Sequence, residues 1–233
     1  MVRTVTDKEL CHERLGAQFD VALSRYDTER RLSTLVDDFL TDEMISGKVA
    51  LDVGCGLGFF SQRLVERGAI VTACDVGSRL LQQTQSRAGC SIRLADVLSL
   101  TEIFGRDRFD VVVSSECIEH VPSPEKAIEQ IAGVLKPGGF VSLSTPNRTW
   151  QPVVRLATKL HLRPFDGYEN FTSWASVRQI FRAADLNIVR ERGLHLFPFQ
   201  LGLHELSEWC DRRLQCFRGL MINICVLAHK KLS

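Results

Sequence analysis

The chain has 233 residues, of which 45% are hydrophobic and 24% charged, and its formal net charge is +1. A chain of this length and composition can bury most of its apolar surface in one core, so it needs no disulfide or structural metal to fold. The balanced charge argues against a protein whose main task is to coat nucleic acid, because phosphate binding requires a basic excess.

The cysteines and the first residues indicate a reducing compartment. The 8 cysteines are scattered along the chain, and no pair has the spacing of a zinc knuckle or a redox dithiol. Residues 1–10 lack the apolar core of a secretory signal, and no apolar run reaches the ~18 residues that a membrane span needs. We therefore expect a cytoplasmic protein with reduced thiols.

Short apolar runs alternate with amphipathic stretches in the middle of the chain. The runs predict five strands, at 48–54, 69–75, 91–96, 109–114 and 140–144. The stretches predict three helices, at 59–67, 78–87 and 124–135. Strands of about 5 residues alternating with helices of about 10 indicate right-handed crossovers, and therefore a mostly parallel sheet with both faces covered.

The two flanks of this region follow other patterns. Apolar residues at helical spacing predict a helical preface over residues 1–45; they are Leu32, Leu35, Val36, Phe39 and Leu40. After residue 147 we predict, in order, an amphipathic segment at 151–163, a helix at 173–184, a strand from 186 to about 196, a helix at about 203–216 and a strand at 221–228.

The sequence has no internal repeat and no low-complexity linker, so we predict a single domain over residues 1–233. Its parts after the preface are a core at 48–147, a helical lid insert at 148–172 and the C-terminal part of the sheet at 173–233.

The most informative segment is a glycine-rich loop after the first predicted strand. Glycines stand at 54, 56 and 58, where the chain must turn tightly and a ligand can approach the backbone. A dinucleotide fingerprint would need its third glycine at position 59, which is Phe59. A triphosphate loop would need a Gly-Lys-Ser/Thr run, which is absent here. Neither of these two sites fits.

Three aspartates lie in or at the ends of the first three predicted strands. Asp75 follows Gly58 by 17 residues, and an acid at this place can accept both hydroxyls of a ribose. Asp96 either accepts from the exocyclic amine of adenine or caps the following turn. Asp52 is either a buried carboxylate satisfied by loop amides or a ligand contact. Open α/β sheets bind their ligands at such strand ends.

Five ordered segments carry a family resemblance: LDVGCGLG at 51–58, VTACD at 71–75, LAD at 94–96, FDVVVSSECIEHV at 109–121 and LKPGG at 135–139. Together they resemble the successive motifs of class I S-adenosylmethionine-dependent methyltransferases of the type 11 family. The resemblance covers residues from about Lys48 to Asn147. The run STPNR at 144–148 and the Glu-His pair at 119–120 are similar to small-molecule O-methyltransferases of the ubiquinone-pathway type.

This resemblance implies a Rossmann-like α/β fold with a seven-stranded, mostly parallel sheet, an antiparallel last strand and helices on both faces. It implies S-adenosyl-L-methionine as cofactor and S-adenosyl-L-homocysteine as product. The residues that it places at the cofactor are Asp52, Gly54, Gly56, Gly58, Asp75, Val76, Asp96, Val97 and Ser115.

Within that set, the resemblance implies a role for each part of the cofactor. The glycine loop would face the methionine part, with Asp52 near its ammonium group. Asp75 would hold the ribose, Val76 would pack on adenine, and Asp96 with Val97 would meet the adenine amine. Ser115 would line the opposite side. An arginine before the first strand contacts the cofactor in ubiquinone-type enzymes, and three residues compete for this role: Arg25, Arg30 and Arg31.

His120 follows the fourth predicted strand and is the candidate catalytic residue. It would act as the general base for the acceptor's proton, because histidine titrates near neutral pH. The alternative is that His120 only packs under the following Val121. A second alternative is a divalent ion held by His120 with Glu116 and Glu119, which share one face if the stretch is helical. We predict no metal site.

The insert carries a basic stripe at Arg155, Lys159 and Arg163, and its other side is apolar: Val153, Val154, Leu156, Ala157 and Leu160. It would form either a lid on the substrate pocket or a peripheral contact with an anionic membrane, and we favour the lid. The surrounding aromatic residues indicate a flat or apolar acceptor unless they belong to the core; they are Trp150, Phe165, Tyr168, Phe171 and Trp174.

These observations predict a methyltransferase that acts on a small molecule, at a hydroxyl group, in quinone, natural-product or sugar biosynthesis. Nitrogen or carbon as the acceptor atom, and a catalytically silent S-adenosylmethionine-binding partner protein, are the alternatives. A macromolecular acceptor fits less well, because the fourth strand is followed by Ser-Ser-Glu-Cys rather than an Asn-Pro-Pro-aromatic run. The chain also lacks the basic footprint expected for nucleic-acid binding.

Overall fold

The protein is described by a computed structural model that covers residues 5–11, 13, 25–160, 167–197 and 202–232. Its sheet has seven strands: β1 Val49–Val53, β2 Ile70–Asp75, β3 Ser91–Leu94, β4 Phe109–Ser115, β5 Leu135–Pro146, β6 Leu186–Leu194 and β7 Asn223–Lys230. All of the predicted strands are present, so the predicted seven-stranded sheet is confirmed.

The strand order is β3-β2-β1-β4-β5-β7-β6. The strands from β1 to β5 pair in parallel, and β7 runs antiparallel to both of its neighbours, β5 and β6. The mostly parallel arrangement with an antiparallel last strand is thereby confirmed. The order reverses between β1 and β4, which opens a crevice at the carboxyl ends of these two strands, the usual ligand site of such sheets.

The described helices are Arg25–Leu32, Asp42–Ile45, Phe59–Glu66, Ser78–Ala88, Leu100–Phe104, Pro124–Val134, Gln151–Lys159, Trp174–Ala183 and His204–Arg213. Apart from Leu100–Phe104, which the sequence pattern did not predict, they match the predicted helices to within a few residues. The predicted preface is helical from residue 25 onward, with a π-helical turn at Ser33–Asp38; its residues 1–4, 12 and 14–24 lie outside the described part, as do Arg163 and Phe165 of the insert.

One strand boundary differs from the prediction. β5 begins at Leu135, whereas the sequence pattern predicts a helix through this residue and a strand only from residue 140. Leu135 pairs with Phe109 and Phe140 pairs with Val111, so the Lys-Pro-Gly-Gly run is an irregularity inside the pairing of β4 and β5. Gly138 has a left-handed φ of 77°, a conformation that glycine adopts without steric cost.

Both faces of the sheet are covered by apolar side chains. Alternate residues of β4 belong to different clusters: Val112 packs with the Pro124–Val134 and Trp174–Ala183 helices, while Val111 and Val113 pack with the preface. Successive side chains of a strand point to opposite faces, so the preface is the cover of one face. All five apolar residues predicted for it are at most 3% exposed.

The glycine loop between β1 and the Phe59–Glu66 helix requires glycine for two reasons. Gly54, Gly56 and Gly58 have φ values of 69°, 52° and 82°, all in the left-handed region that side chains with a β-carbon rarely adopt. Space is also short at two of them: a β-carbon on Gly58 would lie 2.7 Å from the Cα of Thr84, and one on Gly54 would lie 2.6 Å from Cys117 Sγ. The loop therefore packs directly on the Ser78–Ala88 helix.

We predict that Gly58→Ala destabilises the protein by about 2–4 kcal/mol, as left-handed strain and a backbone clash add together. Gly89→Ala is the matched control, because Gly89 has a φ of 64° but open space around its missing β-carbon; it should cost only about 1 kcal/mol. Urea unfolding of both variants measures the difference. Equal losses would show that the contact with Thr84 adds nothing.

Asp52, near the end of β1, is a buried carboxylate. It is 2% exposed, and its Oδ2 accepts a hydrogen bond from the Ser61 hydroxyl at 2.5 Å. Burial, with a smaller contribution from the charge of Asp75, raises the pKa of Asp52 to about 7 despite that hydrogen bond. The carboxylate is therefore buried, as one of the two alternatives predicts, and its partner is a helix hydroxyl and not a loop amide.

A carboxyl group whose pKa is raised by folding stabilises the folded state most below its unfolded pKa, and this stabilisation is lost as the pH rises. We predict that the parent loses stability from about pH 4 to about pH 7 through Asp52, and that Asp52→Asn removes this loss. In urea unfolding the variant should gain about 1–3 kcal/mol relative to the parent over that range.

Asp110→Asn is the control, because folding shifts the pKa of Asp110 in the opposite direction to that of Asp52. The pKa of Asp110 is lowered despite partial burial, because Lys136 and the Val49 amide donate to its carboxylate. The stabilisation of the folded state by ionised Asp110 is therefore present at higher pH and lost as the pH falls. Asp110→Asn lacks this stabilisation, so it should become less stable than the parent as the pH rises. If Asp52→Asn and the parent had parallel pH profiles, Asp52 would be ionised in the folded protein.

Candidate active site

A cavity of about 250 Å³ lies at the carboxyl ends of the central strands. Most of the residues predicted to bind the cofactor line it: Gly54, Gly56, Asp75, Val76, Asp96, Val97 and Ser115. Asp52 and Gly58 are not among the described residues of its wall. They support the loop from the protein side instead, through the contacts with Ser61 and Thr84.

Asp75 is the buried carboxylate at the end of β2 and is 8% exposed. Its Oδ2 accepts from the Gly56 amide at 3.1 Å and its Oδ1 from the Gly77 amide at 2.8 Å. Burial raises the pKa of Asp75, against the lowering effect of these two amides. Each carboxylate oxygen can accept a second hydrogen bond, so the group is held in place and can still receive a pair of ligand hydroxyls.

Asp96 is the cap that one of the two sequence interpretations predicts, and its contact with the adenine amine stays a prediction. Its Oδ1 accepts from the Leu98 amide at 2.9 Å, so it caps the short 3₁₀ helix Val97–Ser99. The same residue lines the cavity together with Val97. The cap fixes the direction of the carboxylate at the cavity wall.

Of the three candidate arginines, the structure brings only Arg31 to the cavity. Arg25 is exposed, and Arg30 forms an ion pair with Asp211 at 3.0 Å. Arg31 is 5% exposed and donates from Nε and Nη2 to Oδ2 of Asp27, at 3.1 and 2.9 Å. Its Nη1 donates to Ser115 Oγ. The four-residue spacing of Asp27 and Arg31 allows this pair on a helix, but Arg25 and Glu29 have the same spacing, so it does not single out Arg31.

Glu116 turns its carboxylate into the cavity from a strained backbone. Its φ is 52°, and its Oε1 accepts from the Ser144 hydroxyl at 2.9 Å. Burial and the neighbouring Glu119 raise the pKa of Glu116 to about 7, although Arg31 opposes them. A glutamate with a left-handed backbone costs free energy, whereas glycine at the same position would not. A turn with only a structural role would therefore favour glycine here.

His120 lies at the cavity mouth in the 3₁₀ helix Ile118–His120. Its Nδ1 is 2.9 Å from the backbone carbonyl oxygen of Tyr168, and its Nε2 is 3.6 Å from Oε1 of Glu119. A carbonyl oxygen only accepts, so Nδ1 carries a proton, and in the neutral ring Nε2 is the basic nitrogen. The role of His120 as the base stays a prediction.

The stretch from Glu116 to His120 is not the regular helix that would align these side chains for a metal. Glu116 bonds to Ser144, and Glu119 Oε2 accepts from the Thr145 hydroxyl at 3.3 Å. Burial raises the pKa of Glu119 to about 8. Within the described ranges, no group of three or more His, Cys, Asp or Glu side chains is arranged to hold a metal ion.

The insert reaches the site through residues after its helix. Besides the Tyr168 contact, the Asn170 amide donates to the Glu119 carbonyl at 2.9 Å, and Asn170 Nδ2 donates to the Val121 carbonyl at 2.6 Å. The Gln151–Lys159 helix itself has no buried residue. Its apolar side is open, with Val153, Leu156 and Leu160 between 55% and 58% exposed.

The aromatic residues around the insert divide between core and surface. Phe171 and Trp174 are buried at 7% and 9% exposure, so the core alternative is correct for them. The Trp150 indole donates to the Leu220 carbonyl at 2.8 Å. Tyr168 is half-buried, and its backbone carbonyl oxygen contacts Nδ1 of His120. None of the described helices is long and apolar enough to cross a membrane.

Several residues that the sequence does not predict also line the cavity wall: Glu9, Glu13, Thr28, Leu80 and Cys117. Glu13, for example, is held at the wall by a hydrogen bond. Its carboxylate accepts from the Arg79 amide at 2.9 Å, at the start of the Ser78–Ala88 helix. The only available signal was the four-residue spacing of Glu9 and Glu13, which is too common to indicate a site.

Comparisons with known proteins agree with this geometry. The methyltransferase-domain family matches residues 24–191. A ubiquinone biosynthesis O-methyltransferase from Erwinia tasmaniensis is 30% identical over 237 residues, which cover 93% of each chain. The protein of the same name from Coxiella burnetii is 30% identical over 184 residues, covering 74% of this chain and 78% of that protein.

Solved structures show the same fold at lower identity. An S-adenosylmethionine-dependent methyltransferase from Mesorhizobium loti superimposes with a TM-score of 0.66 at 18% identity, covering 86% of this chain and 98% of that one. The [4+2]-cyclase SpnF superimposes with a TM-score of 0.65 at 20% identity, over 91% and 85% of the two chains. The family match spans more than half of the chain and coincides with the described cavity. The chain therefore belongs to the class I S-adenosylmethionine-dependent methyltransferases.

Proposed function

We propose that this enzyme transfers the methyl group of S-adenosylmethionine to a hydroxyl group of a small aromatic molecule, of the kind that becomes a quinone. The observation that carries the proposal is a histidine that lines the cofactor cavity and whose ring is oriented by the Tyr168 carbonyl. The names of the relatives from Erwinia tasmaniensis and Coxiella burnetii support oxygen as the acceptor atom.

The cavity residues fit the cofactor. Gly56 lines the cavity, and a β-carbon there would meet no protein atom within 4 Å, so it would occupy the ligand's space. Two backbone amides hold the carboxylate of Asp75 in place. This carboxylate would accept hydrogen bonds from the ribose hydroxyls. Val76 and Val97 offer apolar surface to adenine. Asp96, beside Val97, would accept a hydrogen bond from the adenine amine. Arg31 would hold the carboxylate of the methionine part.

The bound cofactor supplies a methyl group on a positively charged sulfur, whose departure needs no protonation. The chain's residues therefore have two tasks: they align the acceptor oxygen with the methyl group, and they remove its proton. Alignment alone can lower a barrier by about 7–11 kcal/mol in favourable cases. His120 Nε2 would accept the hydroxyl proton, while Nδ1 keeps its hydrogen bond to the Tyr168 carbonyl and so fixes the ring.

The contacts of Tyr168 and Asn170 with the 116–121 turn support the lid function of the insert. Closure over the cavity would exclude water from the acceptor. The exposed apolar side of the Gln151–Lys159 helix favours a second task, a shallow contact with an anionic membrane beside its basic residues. An apolar acceptor could enter from such a surface.

The alternative of a catalytically silent cofactor-binding protein has one specific observation in its favour. The cyclase SpnF has the same fold, so the fold does not by itself require methyl transfer. Against this alternative, this chain keeps polar groups on the acceptor side of the cavity: Glu116 and His120 both line it.

We predict that Asp75→Ala weakens the binding of S-adenosylhomocysteine by at least about tenfold, because the ribose loses charge-assisted hydrogen bonds. Isothermal titration of the parent and the variant measures this change. Asp110→Asn, a strand carboxylate outside the cavity wall, is the control and should bind like the parent. A parent that binds neither S-adenosylmethionine nor its demethylated product at millimolar concentration would contradict the proposed function.

We predict that His120→Ala lowers kcat by about 10²–10⁴-fold while cofactor affinity stays unchanged. The rise in rate with pH through the histidine range should disappear, since only the neutral ring accepts a proton. His229→Ala removes a histidine on β7 and is the control. Full activity of His120→Ala from about pH 6 to about pH 9, on an acceptor that is not itself acidic, would exclude His120 as the base.

The same assay distinguishes a metal mechanism. Activity should survive prolonged treatment with a chelator if His120 acts as a base alone. Loss of activity with the chelator, and its return on addition of Mg²⁺, would instead assign Glu116, Glu119 and His120 to a metal site.

A further inference from the structure

One buried histidine outside the cavity has no role in the proposed reaction. His195 follows β6 in the C-terminal half of the chain and is 0% exposed. Its φ is 61°, a left-handed conformation that glycine or asparagine would adopt more easily. A histidine at such a position costs free energy, so its side chain must offset that cost through its contacts.

The His195 ring lies close to two residues of the Arg25–Leu32 helix: its centroid is 5.7 Å from that of Tyr26, and its polar contact is with Asp27. Its Nε2 lies 3.0 Å from Asp27 Oδ1, while Asp27 Oδ2 accepts both bonds from Arg31. Although burial favours the neutral acid, the charge of Arg31 and the His195 side chain hold the pKa of Asp27 at about 2. The ionised carboxylate therefore lies between the imidazole and the guanidinium.

Arg31 continues this chain of contacts into the cavity. Three of its N–H groups point to Asp27 and Ser115, and a guanidinium has five. The remaining two are on the terminal nitrogens, in a side chain that lines the cavity. Two of the three described N–H donations of Arg31 go to Asp27, so the direction of the remaining two N–H groups depends on Asp27.

The helix also contacts the C-terminal half through two polar contacts that do not include His195. Arg30 binds Asp211 at 3.0 Å, and the Tyr26 hydroxyl donates to the His204 carbonyl at 3.0 Å. Neither of these contacts involves Arg31. Of the contacts described for this helix, the one between His195 and Asp27 links the C-terminal half to the guanidinium.

We propose that His195 is a positioning residue for the cofactor: through Asp27 it holds Arg31 in the orientation that receives the carboxylate of the methionine part. The inference rests on the proposed function, in which Arg31 binds that carboxylate. It also makes the affinity for the cofactor depend on a segment that follows the sixth strand.

Three variants test this role by titration with S-adenosylhomocysteine and by thermal unfolding. His195→Asn suits the left-handed backbone but is too short to reach Asp27, so affinity should fall by about tenfold. His195→Gln keeps an amide N–H near the place of Nε2 and should restore affinity to within about twofold. Arg30→Gln, the matched control, should lower Tm and leave affinity unchanged.

In the methylation assay, His195→Asn should raise the KM for S-adenosylmethionine and leave kcat at saturating cofactor within about twofold. A double variant of His195→Asn with Asp27→Asn should bind no more weakly than Asp27→Asn alone, because both changes break one chain of contacts. If His195→Asn does not fold, Asp27→Asn, which leaves the backbone of His195 intact, provides the same comparison with Arg30→Gln.

Parental affinity in His195→Asn would overturn the inference, as would an equal loss of affinity in Arg30→Gln. Equal losses in His195→Asn and His195→Gln would also overturn it, since they would indicate a packing role. A parent protein that binds no S-adenosylhomocysteine contradicts the proposed function. Binding by the parent that is weakened by Arg31→Gln but not by His195→Asn contradicts only the inference drawn from His195.

Discussion

The carboxylate of Asp75 is the group on which the geometry of the cavity depends. It ends β2, yet it accepts from an amide of the β1 glycine loop and from an amide before the next helix. Two chain turns that are separated in sequence are thereby fixed to one buried anion. The parallel pairing of β1 with β2 brings these groups together, so the sheet topology and the site share one set of constraints.

The wall of the cavity is rich in carboxylates, which is costly unless a ligand or a partner offsets their burial. Asp75, Asp96 and Glu116 all line it, and Arg31 is the guanidinium on its described wall. Burial raises the pKa of Asp75 and brings that of Glu116 to about 7. Such a wall favours a ligand with positive charge, and a sulfonium cofactor with an ammonium group has this property.

The sequence predicted the sheet well, because the alternation of strands and helices over residues 48–147 is set by local hydrophobic pattern and by glycine positions. The start of β5 was missed, because a Lys-Pro-Gly-Gly run ends a helix and gives no sign that Leu135 pairs with Phe109. Seven of the nine predicted cofactor residues line the cavity. Asp52 and Gly58 do not, since the sequence pattern does not show that the Asp52 carboxylate turns to Ser61 or that Gly58 packs against Thr84.

Contacts between distant parts of the chain were beyond the sequence. The choice of Arg31 over Arg25 and Arg30 follows from helix rotation against the sheet, and the partner of its counterion is His195, 168 positions after Asp27. The Tyr168 carbonyl that fixes the His120 ring is likewise far along the chain. Pairings of this kind leave no periodic signal, because only tertiary packing creates them.

The central claim is that the cavity serves methyl transfer to oxygen, and the most direct test follows the methyl group itself. The protein is incubated with S-adenosylmethionine labelled with carbon-13 in its methyl group and with paired aromatic acceptors, catechols and the corresponding anilines. Products are identified by mass spectrometry and NMR. The account predicts label on oxygen of a catechol and none on the anilines. Label on nitrogen or carbon, or no labelled product from any acceptor despite tight cofactor binding, would contradict it.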